Sequence, residues 1–292
     1  MVEYVPGGIY LLLYALIGLA VLGSVGVCLL TESFLTLAWL WMLPVTLVGI
    51  FLLLLALAFG FLCLMCAFVD LNKPQEKDSP FFRKMVTLYV GLILKIARVK
   101  VHTRGIEQLP KDGRFLLVAN HTHDIDPGIL LHVFPNSQLA FIAKREARTM
   151  FLVGKVMHRL LCQMINREND KEALKTIITC IRMIKDDQVS VGVFPEGRIY
   201  PDRKLHTFRP GVFKIAQKAG VPVVVVAMHD NSTVLPNLLK LKPSEVHVNL
   251  LQVIPAEEVC AANTVELAHR IYEMMAADLG PERVWQGEEE NA

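Results

Sequence analysis

Hydrophobic and polar positions divide the chain into two regimes. Gly8 to Leu30 carries no charged residue, and Leu35 to Val69 is a second uncharged stretch. A helix rising about 1.5 Å per residue takes the first across about 34 Å, enough for a hydrocarbon core of about 30 Å. The second is too long for one upright span. Trp39, Trp41 and Pro44 mark an interfacial entry, which sets the span itself at Leu43–Ala67. Together they predict a transmembrane hairpin over residues 1–72, turning at Thr31–Phe34. Neither span holds an Asp, Glu, Lys, Arg or His, so they read as anchors rather than a transport path. Met1–Gly8 lacks the basic start of a cleaved signal peptide.

After residue 72 the periodicity changes. Phe81 to Val101 reads as a helix, within a 73–100 linker. Arg83, Lys84, Thr87, Gly91, Lys95 and Arg98 fall in one sector of about 120°, with Met85, Leu88, Tyr89, Leu92, Ile93 and Ile96 opposite. A basic face directly after a span predicts an interfacial helix; an ordinary domain helix is the plainer reading. From Lys100 onward strands and helices alternate. Strands are expected at Phe115–Ala119, Leu139–Ile142, Val189–Phe194, Val221–Met228 and Val246–Val253. Helices are expected at Arg148–Gln163, Lys171–Lys185 after an Asp170 cap, Gly211–Ala219, and Thr264–Leu279 between Asn263 and Gly280. Strands as continuously apolar as Val223-Val224-Val225-Val226 imply a sheet covered on both faces, an α/β domain over residues 101–283. Residues 284–292 read as a disordered acidic tail.

Charge sharpens this division. No Lys or Arg precedes Lys73, so residues 73–292 carry all 30 basic residues against 28 − 3 = 25 acidic ones, a formal +5. The basic run that starts at Lys73, Lys77, Arg83 and Lys84 places the body on the cytoplasmic side of a membrane by the positive-inside rule. A basic body behind an uncharged hairpin suits a lipid bilayer or phosphate-bearing substrates, and no dense basic run with interleaved aromatics suggests nucleic acid. The six cysteines are scattered, three of them in the apolar region, and form no disulfide framework.

Two stretches concentrate chemistry, each after an apolar strand. Asn120-His121-Thr122-His123-Asp124-Ile125-Asp126-Pro127 packs two imidazoles and two further carboxylates into six residues. If the chain folds back, the Asp126 carboxylate can accept from one ring nitrogen of His121 and leave the other free to take a proton. Asp126 could equally be a helix N-cap with Pro127 in the first helical position, and the two roles can coexist. The rival is a metal site, because His121-Thr122-His123-Asp124 resembles the opening of the metallo-β-lactamase signature. The Asp of that signature, however, is Ile125 here, its final His is Asp126, and the later histidines lack ligand-like spacing. In the second stretch, Phe194-Pro195-Glu196-Gly197-Arg198, Gly197 permits close backbone approach and Arg198 can hold a phosphate through paired hydrogen bonds. Between them lies Ile165-Asn166-Arg167.

The order of these pieces is the specific signal. Asn120-His121-x-x-x-x-Asp126, Ile165-x-Arg167, Phe194-Pro195-Glu196-Gly197, then Gly220-Val221-Pro222-Val223-Val224 resembles the four blocks of the glycerolipid acyltransferase family, over about Val99 to Met228. The family's commoner third block is Glu-Gly-Thr-Arg; here Arg198 follows Gly197 directly, and Ile199 holds the usual Arg position. The resemblance implies a mixed central sheet flanked by helices. It implies an acyltransferase that moves a fatty acyl group from acyl-CoA or acyl-carrier protein to lysophosphatidate, without a metal or resident cofactor. His121 would be the general base and Asp126 its orienter, while Arg167, Glu196, Gly197 and, by its own chemistry, Arg198 would bind the acceptor. The alternatives are the same chemistry on another lysophospholipid or lipid-linked acceptor, a metallohydrolase built on His121, His123 and Asp124, and a non-catalytic scaffold.

Overall fold

The computed structural model describes residues 2–3, 7–74, 77–167 and 169–287. They form two compact units, a helical hairpin within residues 5–71 and an α/β body from Asn72 onward that includes the N-terminal strand. In the hairpin, α1 (Gly7–Leu30) and α2 (Trp39–Ala67) are joined by a 3-10 turn at Ser33–Leu35. Small polar and unsubstituted positions fasten the pair. Ser24 Oγ donates to the Leu43 carbonyl at 2.9 Å and shares a 2.6 Å hydrogen bond with Thr46 Oγ1. A Cβ on Gly23 would sit 3.1 Å from the Ile50 side chain, so its absence brings the backbones together. Both helices are long and apolar enough to cross a membrane.

The body is built on one mixed sheet. Its strands are β1 (Val2–Glu3), β2 (Val99–Arg104), β3 (Leu116–Ala119), β4 (Leu139–Lys144), β5 (Gln163–Ile165), β6 (Ser190–Val193), β7 (Val223–His229) and β8 (Ser244–Ile254). They lie in the order β1-β2-β8-β7-β3-β6-β4-β5. From β7 through β3, β6 and β4 to β5 every pair is parallel, whereas β8 runs antiparallel to β7 and parallel to β2. The helices of the body are α3 (Pro80–Ile96), α4 (Asp126–Val133), α5 (Val153–Arg159), α6 (Asp170–Lys185), α7 (Lys214–Ala219), α8 (Val234–Leu239), α9 (Ala256–Ala261) and α10 (Thr264–Leu279). One face of the sheet, through Leu116, Val118, Val191, Val193, Val223 and Val225, packs on α6, α7 and α10, where Met183, Ile215, Ile271 and Met275 are buried. The alternate residues Leu117, Val224 and Val226, equally buried, belong to the opposite face. Both faces are covered, which is why these strands read as unbroken apolar runs.

Five positions differ from the sequence reading. Helix α3 ends at Ile96 and gives way to β2, and part of its expected basic face, Arg83 and Gly91, turns into the body while Lys84 stays exposed. Arg83 is buried: Asp78 pairs with it at 2.9 Å, and its Nη1 donates to the Leu139 carbonyl at 2.7 Å. Gly91 and Leu94 are buried on the same side, while Phe81, Ile93 and Ile96 are exposed. A paired guanidinium can be buried where an unpaired one cannot, and helical periodicity alone does not see the pair. The helix expected at Arg148–Gln163 is a 3-10 turn at Arg145–Thr149, the short α5 and strand β5. The cap of α6 is Asn169, whose side chain accepts from the Lys171 and Glu172 amides, rather than Asp170. Gly211 lies in a 3-10 turn, Pro210–Phe213, ahead of α7. Finally, Val284 is buried and Trp285 N–H donates to the Leu205 carbonyl at 3.0 Å, so the expected tail is packed at its start; residues 288–292 lie outside the described residues.

Candidate active site

Parallel strands deliver their following loops to one edge, and the crevice outside the carboxyl ends of such strands is where α/β sheets place ligands. Here β3 delivers His121, β6 delivers Phe194–Gly197, and β7 delivers Asp230 and Asn231. Asn120 ties the first and third together: its side chain donates to the Met228 carbonyl at 3.0 Å and accepts from the Met228 amide at 2.8 Å.

After Asn120 the chain folds back on itself. The Asp126 carboxylate, fully buried at the start of α4, turns away from the helix rather than capping it. Its Oδ2 meets His121 Nδ1 at 2.9 Å and accepts the Thr122 and His123 amides at 2.8 and 2.9 Å. Its Oδ1 accepts from the side-chain amide of the buried Asn231. Four donors around one carboxylate hold it still. A hydrogen on Nδ1 directed at that anion fixes the tautomer with Nε2 as the basic nitrogen, and Nε2 has no partner among the described residues.

The imidazole is also stacked. Phe194 lies 4.1 Å from it, ring centre to ring centre, and Phe141 lies 5.8 Å beyond Phe194. Gly192 makes room for this pile, since a Cβ there would come within 2.4 Å of the Phe141 ring. Arg203 closes the loop from the other side, Nη1 donating to the Thr122 carbonyl at 2.6 Å.

Glu196 has a different place from the one expected. It is 1% exposed, and its two oxygens accept backbone amides, from His121 at 2.7 Å and from His206 at 3.2 Å. Burial pushes its carboxyl up to about 8, the two N–H donors oppose the shift, and the charges of Asp126 and Asp202 add to it. Glu196 is thus a brace between the β3 and β6 loops. Gly197, at φ 81°, lies under a side chain: a Cβ there would be 2.9 Å from Arg209 Nε. Arg198 lies over the Tyr200 ring at 4.5 Å.

The cation whose charge acts on Arg167 is Arg209, a basic residue of the Phe208–Gly211 stretch to which the sequence assigned no role. Arg167 and Arg209 are both exposed and, among the described residues, neither forms an ion pair. Partial burial of its guanidinium, followed by the charge of Arg209, pushes Arg167 down from its ordinary value, with Glu146 opposing. Two guanidiniums that repel each other without a carboxylate between them suit an anion that accepts from both. His123 and Asp124 stay apart from this chemistry: His123 Nδ1 accepts the Ile125 amide at 3.2 Å, and Asp124 is exposed. No group of three or more His, Cys, Asp and Glu side chains converges as a ligand set among the described residues.

Residues 100–229 match the family model described as acyltransferase. That stretch, under half of the chain, is similar to the acyltransferase family. Among curated relatives the chain is 30% identical over 177 residues to a probable 1-acyl-sn-glycerol-3-phosphate acyltransferase of Mycoplasma pneumoniae, covering 59% of this chain and 65% of that one. It is 25% identical over 201 residues to the 1-acyl-sn-glycerol-3-phosphate acyltransferase of Saccharomyces cerevisiae, covering 68% and 63%. The match thus spans less than two thirds of these relatives' own length. The crystal structure of a 1-acyl-sn-glycerophosphate acyltransferase of Thermotoga maritima superposes with a TM-score of 0.59 at 24% identity, over 75% of this chain and 86% of that one, and shares its fold. The match to the family model ends at His229, two residues short of Asn231.

Proposed function

We propose that this chain is a membrane-bound O-acyltransferase that transfers a fatty acyl group from acyl-CoA or acyl-carrier protein to the free hydroxyl of lysophosphatidate, giving phosphatidate. The observation that carries the reading is the His121–Asp126 pair, with Nδ1 engaged by a buried carboxylate and Nε2 unpartnered at the carboxyl edge of the sheet. Nε2 takes the proton of the acceptor hydroxyl as its oxygen attacks the thioester carbonyl carbon. The tetrahedral intermediate collapses with cleavage of the C–S bond, and the imidazolium returns its proton to the thiolate. Proton and acyl group are both accounted for without a covalent acyl-enzyme, metal or resident cofactor. The guanidiniums of Arg167 and Arg209 hold the acceptor phosphate, while Glu196 positions the His121 amide from behind. Helices α1 and α2 anchor the body to the bilayer that contains the acceptor, on its cytoplasmic face. The curated relatives named above support lysophosphatidate as that acceptor.

The test is thiol release from acyl-CoA by membranes carrying the wild-type chain or His121→Ala, with lysophosphatidate, other lysophospholipids and glycerol 3-phosphate as acceptors. Transfer to lysophosphatidate that His121→Ala abolishes is expected. Near-wild-type transfer by the variant sinks the mechanism, and preference for another acceptor replaces the substrate.

A further inference from the structure

Between β4 and β5 the chain makes a turn that the His121 site does not use. Val153 N–H donates to the Phe151 carbonyl at 2.6 Å across Leu152, which sits at φ 57°, ψ −47°. A three-residue turn of this hand is rare and strained, and a leucine at positive φ adds to the cost. The turn leads straight into α5. There Gly154 N–H reaches the Met150 carbonyl at 3.0 Å, and a Cβ on Gly154 would come within 2.0 Å of the Arg148 carbonyl oxygen. The result is a knuckle that holds Met150, Phe151 and Val153 outward, at 48%, 78% and 43% exposure. Apolar side chains kept in water on strained backbone are accounted for when another apolar medium receives them.

Charge and chain length select that medium. Lys144, Arg145, Arg148 and Lys155 flank the knuckle along the chain, against Glu146 and the Glu172 that pairs with Arg145, which leaves 4 − 2 = +2. An apolar tip in a basic collar fits the interface of an anionic bilayer, with the ring among the upper acyl chains and the cations among lipid phosphates. A bilayer is also within reach. Helix α2 ends at Ala67 and α3 begins at Pro80, so at most about 40 Å of extended chain separates them.

We propose that the Met150–Val153 turn is a second membrane contact of this chain, an interfacial wedge for anionic lipid; the proposal rests on the reading of α1 and α2 as spans. Inserted there, the wedge fixes how the α/β body faces the lipid surface from which it draws its acceptor.

The full chain is reconstituted into phosphatidylcholine vesicles with and without phosphatidylglycerol, and Phe151→Trp is compared with wild type to subtract Trp39, Trp41 and Trp285. The expected result is an added blue-shifted emission, quenched by phospholipid brominated in the upper acyl chain and weakened by salt. Phe151→Asp is expected to lower thiol release on vesicle-borne lysophosphatidate roughly tenfold, with the rate on a short-chain, monomeric lysophosphatidate in detergent unchanged. Red-shifted, unquenched emission from protein that survives an alkaline carbonate wash overturns the wedge. So does emission that turns blue only with rising protein concentration and ignores bromine, because a second copy then covers the turn. Loss of the wild-type protein in the carbonate wash overturns the span reading instead.

Discussion

Asn231→Leu tests the site at a residue outside the family blocks. Asn231 is 1% exposed, and its side-chain amide is the one donor to Asp126 Oδ1 among the described residues, while Oδ2 has three. Leucine fills similar space but removes the donor, leaving one oxygen of a fully buried carboxylate unpaired. A hydrogen bond to a charged group contributes about 1.5–3 kcal/mol, more than the exposed equivalent because water cannot replace it. In the proposed mechanism the anion serves chiefly to hold and stabilise the imidazolium, so most of that loss falls on the transition state. It amounts to about a 10- to 150-fold fall in kcat at roughly 1.4 kcal/mol per decade, with KM for lysophosphatidate little changed. A merely structural role predicts a lower melting temperature and normal kcat for the molecules that remain folded. Asn231→Asp separates the two further. Two carboxyls at hydrogen-bond distance share one proton: protonated, the new residue still donates to Asp126, and ionised, it repels it. The variant is expected to lose activity as pH rises, whereas a general-base enzyme gains it. Thiol release across pH, with kcat and KM resolved, decides the matter. Wild-type kcat for Asn231→Leu, together with an unchanged pH profile for Asn231→Asp, refutes the positioning role.

Three further outcomes are expected. The folded Glu196 carboxyl titrates near 8 against an ordinary 4.5, so the native state binds more protons between these values and its stability falls as pH rises through them. Glu196→Gln removes that slope, and thermal melts in detergent should show it gaining on wild type from pH 5 to pH 8; parallel curves would contradict the assignment. Arg209→Ala and Arg167→Ala should each raise KM for lysophosphatidate about tenfold at nearly constant kcat, the loss of one charge-assisted contact, with less than additive effect together. An effect on acyl-CoA alone would move the pair to the donor. Arg83→Met leaves the buried Asp78 carboxylate and the Leu139 carbonyl unpaired, at a cost of about 3–5 kcal/mol, and adding Asp78→Asn should recover part of it. An unshifted melting temperature for Arg83→Met would show that the pair contributes nothing.

Much of the architecture was legible in the residues themselves. Val223–Val226 can be apolar at four successive positions only in a strand covered on both sides, and Asn263 with Gly280 bounds α10 by cap chemistry that is local. His121 and Asp126 were legible for the same reason: five residues at a strand end can fold back without help from elsewhere. What depended on distant partners was not. Helical periodicity assigned Arg83 to an outward basic face because it counts charges, whereas Asp78 and the Leu139 carbonyl make its burial tolerable. Glu196 read as a ligand for substrate, yet backbone amides of His121 and His206, 75 and 10 residues away, occupy both of its oxygens. Arg209 read only as one basic residue among several, and Asn231 carried no motif that marked it. One becomes a partner of Arg167 through the packing of the loop after β6, the other reaches Asp126 across 105 residues through β7. The sequence by itself determined the central strands, the apolar hairpin and the pairing of His121 with Asp126, because those follow from local periodicity and spacing. Only the tertiary structure decided which groups hold that carboxylate still and which cations stand together, because hydrogen bonds and charge repulsion depend on distance in space, which the sheet order sets.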